Sequence, residues 1–308
     1  MPDIIAEYLS YGKNQKQLDE KTLRAYRIDL TQFEGLMEEK YHAGPASADE
    51  KMLGEIFGCW HGTFKPKTVK RKIASVKAFY TWLFEAGHRD DNPFLKMHTK
   101  FRMPKVLPKT IPEHVLEQFL QELYDAYKCA KTQNARRHAL RDIAVIETLF
   151  GTGVRISELC SLKEGDVNIV EGELLIFGKG RKERRIQIPD EHLLAVLGAY
   201  YESCKEDIGV HGRFFVNDRG GPLSDQCVRN MIQKHAGHAG ITQHITPHMF
   251  RHTFATLLLD EDVNLRCIQE ILGHSSISTT EIYTHVSAAK QRQVLAEHHP
   301  RKLLNIEL

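Results

Sequence analysis

The sequence predicts a mainly helical protein of two domains, and three observations lead to that reading. Its 308 residues are enough for two separate cores. Apolar residues recur at helical spacing through most of the chain. Residues 173–189 alone read as a β-hairpin, with alternating strands on either side of a turn rich in glycine and lysine. The expected architecture is an N-terminal helical bundle followed by an α-rich domain carrying a small antiparallel sheet.

In chain order, residues 22–33 place Leu23, Tyr26, Leu30 and Phe33 on one helical face. Residues 67–85 repeat the pattern with Val69, Ile73, Val76, Phe79, Tyr80 and Leu83, and Gly87 supplies a stop. From residue 92 to 112 the composition turns to Lys, Arg, Thr and Pro without periodicity, which reads as an extended basic linker. The expected division is 1–97 as a helical domain, 98–110 as linker and 111–308 as the second domain. Helices follow over 112–127 and 135–151, then the hairpin, then helices broken at 209–212, 218–222 and 237–240.

With 42% hydrophobic and 27% charged residues, the composition is that of a globular protein and excludes disorder and fibrous repeats. No apolar run approaches bilayer length and the N-terminal residues lack a leader pattern, so a cytoplasmic location without membrane contact is expected. The six cysteines lie at least 23 residues apart, with no metal-knuckle spacing, and read as reduced and mostly buried. The net charge of +2 conceals an asymmetry. Residues 1–55 carry 7 basic against 11 acidic side chains, and residues 56–109 carry 12 against 3. The second stretch suits a polyanionic partner. Its candidate phosphate contacts are Lys65, Lys67, Lys70, Arg71 and Lys77 on the helix, with Lys100, Arg102 and Lys105 in the linker. A solvated helix face is the simpler account of an isolated basic run, but the flanking basic segment speaks against it.

Four local patterns bear chemistry, and each has a plain structural explanation by itself. Arg155 and Glu158 follow a double-glycine turn at a helix start and could be only an i, i+3 ion pair. Lys179 sits between glycines on the hairpin turn, which lacks the P-loop spacing. Thr246 and Pro247 open a helix that places His248 and Arg251 on one face. His248 and His252 have zincin spacing, but Met249 stands where the general-base glutamate belongs, so no metal is expected. His274 follows a helix-ending glycine, and Tyr283 comes nine residues later. Together, two arginines, two histidines and a lysine supply what a doubly charged phosphoryl transition state needs without a metal or other cofactor, and a tyrosine hydroxyl is then the covalent nucleophile.

The runs Gly-Thr-Gly-Val-Arg155-Ile-Ser-Glu158-Leu, Gly-Lys179-Gly, His248-x-x-Arg251-His-Thr-Phe-Ala-Thr, Leu-Gly-His274-Ser and Thr-Thr-x-x-Tyr283-Thr-His-Val resemble the signature of the tyrosine recombinase (phage integrase) family, in the style of its Xer-type members. The resemblance spans nearly the whole chain. It implies a SAM-like core-binding domain ahead of a catalytic domain that together clasp a specific double-stranded DNA site. Tyr283 would form a 3′-phosphotyrosyl link, Arg155 and Arg251 would hold the non-bridging oxygens, and Glu158 would orient Arg155 or a neighbouring histidine from behind. His248 would donate to the phosphate or take the tyrosine proton, His274 would add a hydrogen bond, and Lys179 would protonate the leaving 5′-oxygen. Four protomers, of one kind or with a second recombinase, would exchange strands through a Holliday junction. The tail after Tyr283, with Val286, Ala289 and Val294 on one face, would latch onto the next protomer. A type IB topoisomerase uses similar residues as a monomer, and a catalytically silent DNA-binding regulator is the second rival. The complete set of six catalytic residues disfavours the silent regulator. An extra N-terminal arm-binding domain is not expected, and on that reading a lambda-type integrase with two DNA-binding modes is disfavoured.

Overall fold

The computed structural model describes residues 3–97, 108–178 and 183–273. The chain divides into two compact units, residues 1–105 and 106–308. The first contains α1 (Ile4–Asn14), α2 (Glu20–Tyr41), α3 (Glu50–Thr63) and α4 (Pro66–Glu85). Asp3, Asp19 and Asp49 each accept backbone N–H bonds at the start of a helix, satisfying donors that the first turn leaves without partners. Pro66 opens α4, and Gly87 (φ +75°) follows its end. The expected pattern over residues 22–33 and 67–85 falls inside α2 and α4. Their apolar faces meet around Leu30, Phe33, Met37, Val76, Phe79 and Leu83, all buried. Tyr80 closes this core, donating to Pro45 O at 2.8 Å and accepting from Ala48 N at 3.0 Å, so its buried hydroxyl is satisfied.

The second unit contains α5 (Glu113–Lys128), α6 (Gln133–Thr152), α7 (Ile156–Ser161), β1 (Val167–Asn168), β2 (Glu173–Phe177), β3 (Glu183–Gln187), α8 (Glu191–His211), α9 (Asp225–His238), α10 (Pro247–Asp260) and α11 (Leu265–Leu272). Helix α6 is the central member. It packs on α5, α8 and α10, burying Ile143, Val145, Ile146 and Leu149, each of which contributes about 1.5–3 kcal/mol by leaving water. The sheet is antiparallel in the order β1-β2-β3, with Glu173 opposite Gln187 and Phe177 opposite Glu183.

Two expectations need correction. Helix α6 does not stop at residue 151 but runs through Thr152, and the turn is made by Gly153 alone (φ +62°). A Cβ there would lie 2.5 Å from Phe254 and 2.9 Å from Leu272, so the close packing of α10 and α11 demands glycine. The cysteines are also mostly not buried: only Cys204 is, while Cys59, Cys129, Cys227 and Cys267 are exposed. Among the described residues no helix is long and apolar enough to cross a membrane.

Candidate active site

Three elements of the second unit converge on the C-terminal end of α11. Arg155 is the residue before α7, released from α6 by the Gly153 turn. Arg251 lies in the second turn of α10, which starts on Pro247 with no side-chain bond from Thr246. Gly273 ends α11 in the left-handed conformation (φ +64°) and leaves the last carbonyls of that helix to outside donors.

Both arginines take those carbonyls. Arg251 is 3% exposed and donates to Leu272 O at 2.6 Å and Gly153 O at 2.7 Å, so it ties the end of α6 to the end of α11. Arg155 makes a longer bond to Gly273 O, 3.5 Å, and its side chain remains 35% exposed. The geometry is therefore asymmetric, with one guanidinium set into the protein and the other at its surface.

Glu158 stands behind Arg155. It is buried, and its carboxylate accepts from Arg155 Nη1 at 2.8 Å and from the Arg155 backbone N–H at 2.9 Å. Sequence reasoning missed its second partner. Arg184 on β3 donates to both oxygens of Glu158, at 3.0 and 2.7 Å, and through Nε to Ile271 O at 2.9 Å. One side chain thus joins the sheet, α7 and α11. The signal for Arg184 lay in strand alternation, because it has the same parity as the buried Ile186 and so sits on the inward side of β3. Burial pushes the Glu158 carboxyl up, but the hydrogen bonds from Arg184 and from the Arg155 backbone outweigh it and hold the group below the ordinary glutamate range.

His248 is exposed on the first turn of α10, with the His252 ring 6.4 Å away and inclined by 30°. Burial, with the nearby His248 and Arg251 charges, lowers His252 to about 4, so it is neutral at pH 7. Lys179, His274 and Tyr283 lie outside the described residues.

On the first unit, Lys65, Lys67, Lys70, Arg71 and Lys77 are all exposed at or along α4. Arg71, however, is paired with the buried Asp29. Other charges of the basic stretch are also used internally. Lys72 is buried against Trp60 and Phe64 with its ammonium 3.2 Å from Asp29, and Arg89 stacks on Tyr80 and donates to Ala48 O at 3.2 Å. The local surplus of positive charge therefore overstates what faces outward. Lys100, Arg102 and Lys105 lie outside the described residues.

Known proteins resemble this chain in sequence and fold. The phage integrase family matches residues 110–290, and the phage integrase N-terminal SAM-like domain matches residues 5–87. A tyrosine recombinase of Agathobacter rectalis is 50% identical over 299 residues, covering 97% of this chain and 96% of its own. Tyrosine recombinase XerC of Halalkalibacterium halodurans is 32% identical over 305 residues, covering 96% and 97%. Among solved structures, the XerH site-specific recombinase in its post-cleavage complex with a palindromic difH substrate matches in fold, with a TM-score of 0.74 at 21% identity over 97% of this chain and 84% of that one. The chain belongs to the phage integrase family, the tyrosine recombinases, and is a Xer-like site-specific recombinase that cleaves and rejoins DNA.

Proposed function

We propose that the chain cuts each DNA strand by attack of the Tyr283 hydroxyl on a phosphodiester, with Arg155 and Arg251 holding the phosphate. The O–P bond to tyrosine forms as the bond to the 5′-oxygen breaks, and Lys179 supplies the proton that leaves with that oxygen. The observation that supports this best is the convergence of Arg155 and Arg251, from two separate elements, on the carbonyls immediately before His274. Their planar guanidinium groups offer paired donors to the non-bridging oxygens of a phosphate, which a lysine cannot match. Glu158 fixes Arg155 from the protein side. His248 takes the proton that the Tyr283 hydroxyl loses or donates to the phosphate, the proton then passing to water, and His274 adds a hydrogen bond to a non-bridging oxygen. The bond energy stays in the phosphotyrosine, so rejoining needs neither a nucleotide nor a metal ion at this site.

Residues 1–97 serve as the core-binding domain and 98–110 as a basic linker, with Lys65, Lys67, Lys70, Arg71, Lys77, Lys100, Arg102 and Lys105 along the phosphates. Residues 111–308 form the catalytic domain. Four protomers on two duplexes exchange strands through a Holliday junction, the segment after Tyr283 linking one protomer to the next. The work is done in the cytoplasm, where the DNA is and where unpaired cysteines stay reduced.

The test is a suicide substrate resolved on a denaturing gel. Tyr283→Phe should bind DNA normally and form no covalent adduct, and an adduct that persists overturns the assignment. Lys179→Ala should slow cleavage by about 10²–10⁴, the usual range for general acid catalysis, and recover on a substrate with sulfur at the 5′-bridging position.

A further inference from the structure

Away from the arginines at the end of α11, helices α5, α6 and α9 bring together a second group of titratable side chains. Glu122 on α5 faces two histidines one turn apart on α9: His235 Nδ1 lies 2.5 Å from Glu122 Oε2, and His238 Nδ1 lies 3.2 Å from Glu122 Oε1. The candidate ligand atoms of these three residues all fall within 4.8 Å of one another. His235 is almost fully buried, and its other nitrogen, Nε2, is 3.0 Å from Asp142 Oδ2 on α6. Asp142 is itself held by Arg141, Nε to Oδ1 at 2.9 Å and Nη2 to Oδ1 at 2.6 Å. Gln118 also ties α5 to the end of α9 through a 2.6 Å bond to Ala239 O, so the three elements are already fixed together.

We propose that Glu122, His235 and His238 form a site for one divalent ion of the zinc class, bound through a Glu122 carboxylate oxygen and the Nδ1 atoms of both histidines. Three features favour a metal over a plain ion pair. Glu122 and Asp142 between them already satisfy both ring nitrogens of His235, yet a second imidazole nitrogen is aimed at the other oxygen of the Glu122 carboxylate from a side chain that is 59% exposed. An acceptor behind a ligating histidine fixes its tautomer and ring plane, and Asp142 occupies that position relative to His235. The donor set, two imidazoles and one carboxylate with the His238 side open to water, is that of zinc sites that keep a fourth position for solvent. Tetrahedral Zn²⁺ with bonds of about 2.0–2.1 Å sets its ligand atoms about 3.3 Å apart, so the side chains need shift by less than about 1 Å to admit it. The ion would staple α5 to α9 and take no part in strand cleavage. The sequence gives no hint of it, because Glu122 and His235 are 113 residues apart.

The full chain, stripped with chelator and dialysed, is titrated with Zn²⁺ by calorimetry and melted with and without the ion. One equivalent should bind at micromolar affinity or tighter and raise Tm, and Co²⁺ in its place should show the visible absorption of a four-coordinate nitrogen and oxygen site. His238→Gln alters an exposed side chain and should fold normally. It should lose affinity at least about 10-fold together with the Tm increase, as should Glu122→Gln. Absence of a saturable equivalent overturns the proposal. So does an equivalent that both variants bind as tightly as the parent, since the zinc would then sit on other side chains.

Discussion

Each unit of the molecule has a buried carboxylate held between a lysine or arginine and a second arginine, at Asp29 and at Glu158, and the two clusters are put to different uses. Asp29 lies between Arg71 and Lys72, and Glu158 between Arg155 and Arg184. Around Asp29 one charge is consumed, while the other, on Arg71, stays 46% exposed. Lys72 is 2% exposed, and its ammonium is surrounded by Asp29, Gln32 and two aromatic faces. Ser75 Oγ also donates to Asp29 at 2.8 Å. This cluster ties α2 to α4 and leaves only Arg71 facing outward. Around Glu158 the charges are arranged in depth. Arg184 holds both carboxylate oxygens and a carbonyl of α11, which leaves Arg155 fixed along one edge but still 35% exposed. Pairing with a carboxylate does not by itself separate a structural cation from a substrate-binding one. Both clusters have an inner cation and an outer arginine, and the difference is that the outer arginine at Glu158 also reaches Gly273 O, next to the Leu272 carbonyl that Arg251 holds.

The largest expected effect comes from removing the inner carboxylate. Glu158→Gln leaves Arg184 and Arg155 without their shared charge, and breaking a buried pair from one side costs about 3–5 kcal/mol. Urea unfolding should show that loss, and single-turnover cleavage under conditions where the variant remains folded should fall as well. Lys72→Met is the counterpart in the first unit. Asp29 keeps Arg71 and Ser75, so the expected cost is about 1–3 kcal/mol, and cleavage of bound DNA should not change. A cleavage defect in this variant would place the Asp29 cluster at the DNA.

Acid sensitivity sharpens the contrast, since the shifted groups near the end of α11 belong to the second unit. His252 has a folded value of about 4 against an ordinary 6.5, so between those values the unfolded chain binds the extra proton. Its contribution is therefore present above pH 6.5 and is lost as pH falls towards 4. Glu158 is lowered from 4.5, so its contribution is present above that value and is lost only as pH falls through its depressed pKa. The variant His252→Asn should flatten the stability profile between pH 6.5 and 4 and leave the steeper acid limb intact. Denaturant midpoints measured across that range check this, and an unaltered slope would mean that His252 is not held neutral. The smallest effect is on DNA affinity. Neutralising Lys70 and Lys77 together should reduce the slope of log affinity against log salt by about 0.9 for each phosphate that the variant no longer neutralises. Arg71→Ala should change that slope less, because Asp29 already engages it.

The sequence made the framework and much of the cleavage site readable for specific reasons. Helices α2, α4, α5 and α6 carry apolar stripes long enough to set their period, and the hairpin is marked by alternation on both sides of its glycines. The Arg155 and Glu158 pair is local, three residues apart on one helical turn, so spacing alone suggested it. What could not be read depends on distant partners. Arg184 meets Glu158 across 26 residues and Ile271 across 87, and the Glu122, His235 and Asp142 group spans three helices. The charge count over residues 56–109 misled in part because tertiary packing that composition does not register buries the Lys72 ammonium over aromatic faces and half-buries Arg89 against Tyr80.

The central claim is that Arg155 is held by Glu158 for work on the phosphate and not for stability. It is tested by Arg155→Lys, with cleavage rate and melting temperature measured on the same preparation. Lysine keeps the charge and loses the paired donors, so adduct formation in a single turnover should slow by about 10²–10³, as for loss of a transition-state donor. A partly exposed ion pair is worth about 0–1 kcal/mol, so Tm should move by no more than a few degrees. A variant that cleaves at the parent rate while melting well below it would contradict the account and make Arg155 a structural cation of the same kind as Lys72.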